Sequence, residues 1–142
     1  MHRNRVVVAA PDPHGRRNLR ERLTQLGYLV VGEASDGKEA LHGTFQRQPD
    51  LVVFHTELPA YQGLDVAAII EEHRVASLLF VARRAADVVH LAKNLWVYAY
   101  LVEPFGDEEL ATAVEVALAN FHKVAALEQE NKKLKKDLAA RK

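Results

Sequence analysis

Five short apolar runs divide the chain: Val6–Ala10, Tyr28–Val31, Leu51–Phe54, Leu78–Ala82 and Tyr98–Val102. Each is apolar at consecutive positions, the pattern of a strand buried on both faces. Between them, apolar residues recur at helical spacing. Pro13 opens the first such stretch, with Asp12 as N-cap, Leu19, Leu23 and Leu26 recurring along it and Gly27 as C-cap. Lys38–Arg47 is the second, with Ala40, Leu41 and Phe45 turned inward and Pro49 closing it. Leu64–His73, carrying Val66, Ile69 and Ile70, is the third, and Ala86–Lys93 the fourth. Gly106-Asp-Glu-Glu109 starts a long fifth helix, whose acidic first turn suits the helix dipole. Gly32-Glu-Ala-Ser-Asp-Gly37 reads as turn chemistry.

Strand and helix alternate throughout, with connections of a few residues. That pattern predicts an α/β domain with a parallel sheet covered on both faces. Right-handed crossovers leave few topologies, and a flavodoxin-like, doubly wound five-stranded sheet of order 2-1-3-4-5 fits this length. The alternative is a Rossmann-like fragment. No G-x-G-x-x-G follows the first strand and no P-loop is present, which argues against nucleotide binding. In open α/β sheets, ligands bind outside the carboxyl ends of the strands. The run Leu51–Phe54 delivers His55 to that point, before Pro59 and Gly63 mark a loop. The surroundings of His55 therefore decide what the site can do.

The chain has 142 residues, room for one domain and an appendage. A domain of this size buries about 68–70% of its unfolded surface, so it needs no disulfide or structural metal. There is no cysteine, which excludes thiolate catalysis and Cys-based zinc sites. Nineteen basic and 19 acidic residues give a formal net charge of +0, hence no global electrostatic case for nucleic-acid binding. The N-terminal apolar run is too short for a signal peptide, and no run approaches the ~20 residues of a membrane span. A soluble, cytoplasmic protein without membrane contact is the expectation.

Certain pieces, in order and at their spacings, point to a family. They are Arg5-Val-Val-Val with Pro13; Leu26-Gly-Tyr with Val31-Gly-Glu-Ala-Ser-Asp-Gly-Lys-Glu-Ala-Leu41; Pro49-Asp-Leu-Val-Val-Phe; Leu58-Pro-Ala-Tyr-Gln-Gly-Leu64; and Ala99-Tyr-Leu-Val-Glu-Pro-Phe105. Together they make the chain, from about residue 5 to 122, resemble the receiver domain of bacterial response regulators. The resemblance implies a phosphoacceptor aspartate at the end of the third strand, where His55 stands. It implies an acidic pair for Mg²⁺ at the end of the first strand, where Ala10 and Pro11 stand with Asp12 just beyond. It implies a threonine or serine at the end of the fourth strand, here Ala82, and a lysine before the proline after the fifth, here Glu103. The switch aromatic of the fifth strand is present as Tyr100.

Phosphoryl transfer to a carboxylate needs that carboxylate, a metal on hard oxygen ligands and cationic charge on the moving group. These positions offer an imidazole, one displaced carboxylate and an acid in the place of the cation. The expectation is a pseudo-receiver, not an enzyme, with no cofactor and no metal. His55 itself is open to three readings: a substitute phosphoacceptor, an ion pair with Glu103 that would make the site pH-sensitive, or a polar residue hydrogen-bonded to a loop. His2, His14, His42, His73, His90 and His122 show no i, i+4 pairing, and solvated helix faces account for most of them. Trp96 and Tyr98, before the last strand, read as core or rim packing, with a partner surface as the alternative.

The fifth helix continues past residue 122. Leu110, Val114, Leu118 and Phe121 form the stripe that faces the sheet. Val124, Leu127, Asn131, Leu134 and Leu138 then repeat as the a and d positions of heptads, and asparagine at an a position favours a two-stranded parallel coil. With Val124 as a, the g-to-e pairs Lys123–Glu128, Glu130–Lys135 and Asp137–Lys142 are all opposite in sign. The alternative is a solvated single helix with i, i+4 pairs such as Glu128–Lys132. The chain is thus read as a receiver-like unit, 1–122, and a dimerisation helix, 123–142.

A receiver followed by heptads is similar in layout to the ANTAR class of transcription antiterminators, in which a coiled coil leads into a small RNA-binding module. That module is not in these 142 residues, and the chain ends within the heptads. The expected partners are a second copy of the chain and a regulatory protein, with RNA bound only through the missing output domain. Two other readings stand beside this one: a receiver with residual phosphotransfer through His55 or Asp12 in a two-component phosphorelay, and a stand-alone scaffold of 142 residues.

Overall fold

The structure is a computed structural model and describes residues 4–58, 62–93, 95 and 97–140, with side chains left undescribed at 62–65. Residues 59–61, Trp96 and Lys142, all of which figure in the sequence reading, lie outside the described residues. Ten elements alternate: β1 (Arg5–Ala9), α1 (Pro13–Gln25), β2 (Leu29–Ala34), α2 (Gly37–Arg47), β3 (Leu51–His55), α3 (Gln62–Glu72), β4 (Ser77–Ala82), α4 (Ala85–Ala92), β5 (Ala99–Val102) and α5 (Asp107–Ala140). The strands form one parallel sheet in the order β2-β1-β3-β4-β5. This is the flavodoxin-like architecture that the alternation implies.

Burial explains which strand sits where. β3 and β4 are buried at every position, and β1 at all but Arg5. β2 and β5 keep exposed or half-exposed positions because each pairs on one side only. Phe54 and Phe80 meet edge to face at 6.1 Å between neighbouring central strands, a favoured aromatic geometry. β2 runs three residues further than its apolar run suggests. Gly32, Glu33 and Ala34 pair with Val7, Val8 and Ala9 beyond a register shift, so the turn begins only at Ser35. Ladder pairing carries these polar and small residues where hydropathy did not.

Local signals set the helix ends. The Asp12 side chain accepts from the backbone N–H groups of His14 and Gly15, capping α1. Gly27 follows α1 with φ +98°, a conformation that glycine adopts without strain. Asp36 and Glu39 form a reciprocal cap on α2, with Asp36 accepting from the Glu39 N–H and Glu39 from the Ser35 N–H. One expectation about α2 is corrected. Gly37, Ala40 and Thr44 are its buried residues, Leu41 packs partly on the core, and Phe45 lies exposed. Its ring meets His73 edge-on at 5.5 Å, at the rim between α2 and α3. At about 3.6 residues per turn, Phe45 lies about 100° round the helix from Thr44 and so falls off the inner line of Gly37, Ala40 and Thr44.

α5 is apolar and long enough, by composition, to cross a membrane. Part of that apolarity belongs to the core: Leu110, Val114, Ala117 and Leu118 are buried on the sheet. The Ser77 hydroxyl donates to the Ala117 carbonyl at 2.7 Å, and the Asn120 amide to the Tyr98 carbonyl at 2.8 Å. Phe121 and Val124 are the last residues of α5 packed on the core, and beyond them the helix is largely exposed. Tyr98 is buried and stacks edge-on with Phe121, so it packs in the core as expected.

Candidate functional site

A cavity of about 250 Å³ opens at the carboxyl ends of β1 and β3. Ala10, Pro11, Asp12, His55 and Glu103 all line it, so the fold brings five of the six predicted pocket residues together. Ala82 is wholly buried at the end of β4, and its neighbours Val81 and Arg83 reach the cavity instead. The Ala82 carbonyl accepts from the Glu103 N–H at 2.9 Å, which fixes the start of the cis peptide Glu103–Pro104.

His55 is 8% exposed and both ring nitrogens are engaged. Nε2 lies 2.6 Å from Glu103 Oε1, and Nδ1 accepts from the Glu57 N–H at 3.1 Å. Because Nδ1 accepts, the ring proton sits on Nε2, which donates to the Glu103 carboxylate. His55 is thus hydrogen-bonded at both nitrogens, to Glu103 and to the loop, and this arrangement leaves no second ring proton of the kind an ion pair would need. One nitrogen binds the residue after β5 and the other ties down the turn after β3.

The other charges lining the cavity are also engaged. The Asp12 carboxylate caps α1. Glu57 lies 3.3 Å from Arg83. Arg22 donates to Asp107 at 2.6 Å and to the Phe105 carbonyl at 2.8 Å, with its guanidinium 4.7 Å above the Phe105 ring. Sequence reasoning missed Arg22, Glu57 and Arg83. A signal for the last two exists in the strand register: His55 pairs with Val81, so the residues two further on, Glu57 and Arg83, leave the sheet side by side.

A hard divalent cation takes several carboxylate or carbonyl oxygens. Ala10 and Pro11 supply no side-chain oxygen, and the Asp12 carboxylate is turned to the helix N-terminus. The residues present do not fit Mg²⁺. Nor does the arrangement present an acceptor carboxylate at the end of β3 or a cation at residue 103, so it lacks the parts that phosphoryl transfer to a carboxylate uses.

A second surface has the opposite character. Tyr100, 53% exposed on β5, lines an apolar groove of about 1040 Å³ together with Val89 of α4 and Val116 of α5, both also exposed. Further along α5, Leu127, Leu134 and Leu138 are 61%, 54% and 63% exposed, Asn131 is exposed, and Val124 is half-buried against the core. With about 3.6 residues per turn, Val116 falls on the same helix face as Leu127 and Leu134. Asn120 and Lys123 stand between them on that face, so the groove and the leucine stripe are two apolar patches separated by a polar turn.

Comparison with known proteins agrees with this architecture. The family model for the response regulator receiver domain matches residues 6–115. The chain is similar to the transcriptional regulatory protein PdtaR of Mycobacterium tuberculosis, at 37% identity over 139 residues, covering 97% of this chain and 68% of that protein. Among solved structures, it is similar to the signal receiver domain of the putative response regulator NarL from Mycobacterium tuberculosis (TM-score 0.76, 25% identity, 84% of this chain and 98% of that one). A yeast trimeric coiled-coil segment fused to a second protein matches in fold over 99% of this chain and 95% of its own, with a TM-score of 0.78 at 19% identity.

Proposed function

This chain belongs to the response regulator receiver family, and we propose that within it the protein is a pseudo-receiver, a non-catalytic signalling module that dimerises through its C-terminal helix. Receiver domains carry signals in two-component systems, so the module is cytoplasmic and works by contact with other proteins. The observation that carries the reading is the His55–Glu103 contact. The residue in the acceptor position and the residue in the cation position satisfy each other, leaving a phosphoryl group neither a nucleophile nor a counter-charge.

In this reading residues 1–122 form the signalling body and 123–142 the dimerisation helix. Tyr100 and the groove around it receive a regulatory partner. Three exposed leucines on one helix face support a two-stranded coil, since a second copy would remove their surface from water. The output we assign is an RNA-binding antitermination domain outside these 142 residues. The receiver-plus-heptad layout of ANTAR regulators and the likeness to PdtaR along most of the chain support that assignment.

Two measurements test the two halves. Sedimentation of the chain beside a version ending at His122 should give a dimer and a monomer at tens of micromolar; a dimer from both would move the interface off the helix. Adding Mg²⁺ with beryllofluoride, a phosphoryl mimic, should leave the backbone NMR signals of Ala82 and Glu103 in place. Saturable shifts there would return the site to phosphotransfer.

A further inference from the structure

Although α5 leaves the core after Val124, the receiver body grips it once more. Arg74 stands two residues past α3 with φ +50°, a left-handed conformation uncommon for a side-chain-bearing residue. That turn aims its guanidinium at α5. Nε donates to Glu128 Oε2 at 3.0 Å and Nη2 to the other oxygen of the same carboxylate, a two-pronged pair. Nη1 donates to the Glu71 carbonyl at 2.8 Å and to the Tyr98 hydroxyl at 3.1 Å. Hydrogen bonding to Glu128 raises the Arg74 pKa, and the same bond holds the Glu128 carboxyl below the ordinary carboxylate range.

Glu128 is also an e position of the heptads, where a parallel coil would set it against Lys123 of a second copy. One carboxylate thus has three candidate cations: Arg74 of its own body, Lys132 one turn further along its own helix, and Lys123 of the second copy. Lys123 is an exposed ammonium on a flexible stem, and such a pair gains little in water. Arg74 is a planar fork, partly buried and already held by two further acceptors, so less freedom is lost in holding the carboxylate.

We propose that Arg74 is a clasp that keeps Glu128 on its own receiver body, so that the first inter-chain pair of the coil, Lys123 with Glu128, does not form and the clasp sets the direction in which α5 leaves. The inter-chain part rests on the dimer reading above; the clasp itself is within one chain. Tyr98, one residue before β5, shares the Arg74 guanidinium. A shift of β5 therefore reaches the helix through the same group that holds it.

Sedimentation equilibrium of the full chain tests this with Lys123→Glu, Lys135→Glu, Arg74→Ala and the double variant Arg74→Ala/Lys123→Glu. Lys135→Glu should weaken the dimer by about tenfold, because like charges then face Glu130 on both sides of the coil. Lys123→Glu should stay within about twofold of the unmodified chain, but cost about tenfold once Arg74→Ala has released Glu128. A loss for Lys123→Glu alone as large as for Lys135→Glu would overturn the clasp, as would no loss in the Arg74→Ala background. If the unmodified chain is a monomer, the dimer reading fails and hydrogen exchange judges the clasp alone. Arg74→Ala should then speed exchange of the α5 amides around Glu128 about tenfold, the scale of one lost charged pair. Unchanged exchange would overturn it.

Discussion

The two surfaces of this molecule are built from neighbouring strands and have opposite chemistry. At the carboxyl ends of β1 and β3, polar and charged side chains satisfy one another: His55 is hydrogen-bonded to Glu103, Glu57 pairs with Arg83 and Arg22 with Asp107. On the face made by α4, β5 and α5, apolar side chains stand in water without partners: Val89, Tyr100, Val116 and the leucines beyond. A charge-lined cavity whose groups already satisfy one another has little to offer a ligand. An apolar face that leaves large side chains exposed gains by being covered. On the proposed reading, the work of this receiver lies on the second surface and the first has a structural role.

Removing the apolar stripe should have the largest effect. Replacing Leu127, Leu134 and Leu138 together with serine should weaken the dimer at least about a thousandfold, since each buried leucine contributes roughly 1.5–3 kcal/mol and each 1.4 kcal/mol is a factor of ten. The three leucines lie beyond His122, so the truncated body does not contain them and sedimentation of the full chain is the measurement. A dimer that survives the triple change would break the comparison.

Disturbing the paired pocket should cost less and act on stability alone. Glu103→Ala leaves the Nε2–H of buried His55 without its acceptor, worth about 1–2 kcal/mol in denaturant unfolding. The dimer constant should be unchanged. If the variant instead alters dimerisation, the two surfaces are coupled and the pocket is more than a filled site.

pH is the mildest lever, and it acts at a third place, where α5 meets the body. Burial, then the hydrogen bond to Glu115, pushes the Tyr28 phenol well above its ordinary value, and burial raises Tyr98. A raised folded-state value means that this stability is intact below the ordinary tyrosine range of about 10 and is lost as pH climbs toward the folded value. The lowered Glu128 carboxyl works in the other direction: its contribution is present above the ordinary carboxylate range and disappears as pH falls through the depressed value. Thermal unfolding across pH should show a shallow decline at both ends. An alkaline decline that persists in Tyr28→Phe/Tyr98→Phe would remove the phenols from the account.

Much of the fold was legible because buried parallel strands write themselves as apolar runs. Leu51–Phe54 and Leu78–Ala82 are the clearest, and they are the two strands buried at every position. The apolar run of the edge strand β2 stops short of its end, because Gly32 and Glu33 are held by ladder pairing and carry no hydrophobic signature. Hydropathy names Phe45 as a core residue, whereas the buried line of α2 is set by small residues, Gly37, Ala40 and Thr44, that carry little hydrophobic signal. In the pocket, the positions at strand ends could be read from order and spacing. Arg22 and Arg74 could not, since each reaches its partner across long sequence separation, to Asp107 and to Glu128. Long flexible side chains that join distant elements leave no periodic trace.

The central claim is that the site holding His55 does not take a phosphoryl group. The direct test is to incubate the chain with Mg²⁺ and a small-molecule phosphodonor such as acetyl phosphate and to measure its intact mass. The account predicts an unchanged mass, because no acceptor carboxylate stands at the end of β3 and Glu103 occupies the place of the cation. A stoichiometric gain of one phosphoryl group would contradict it.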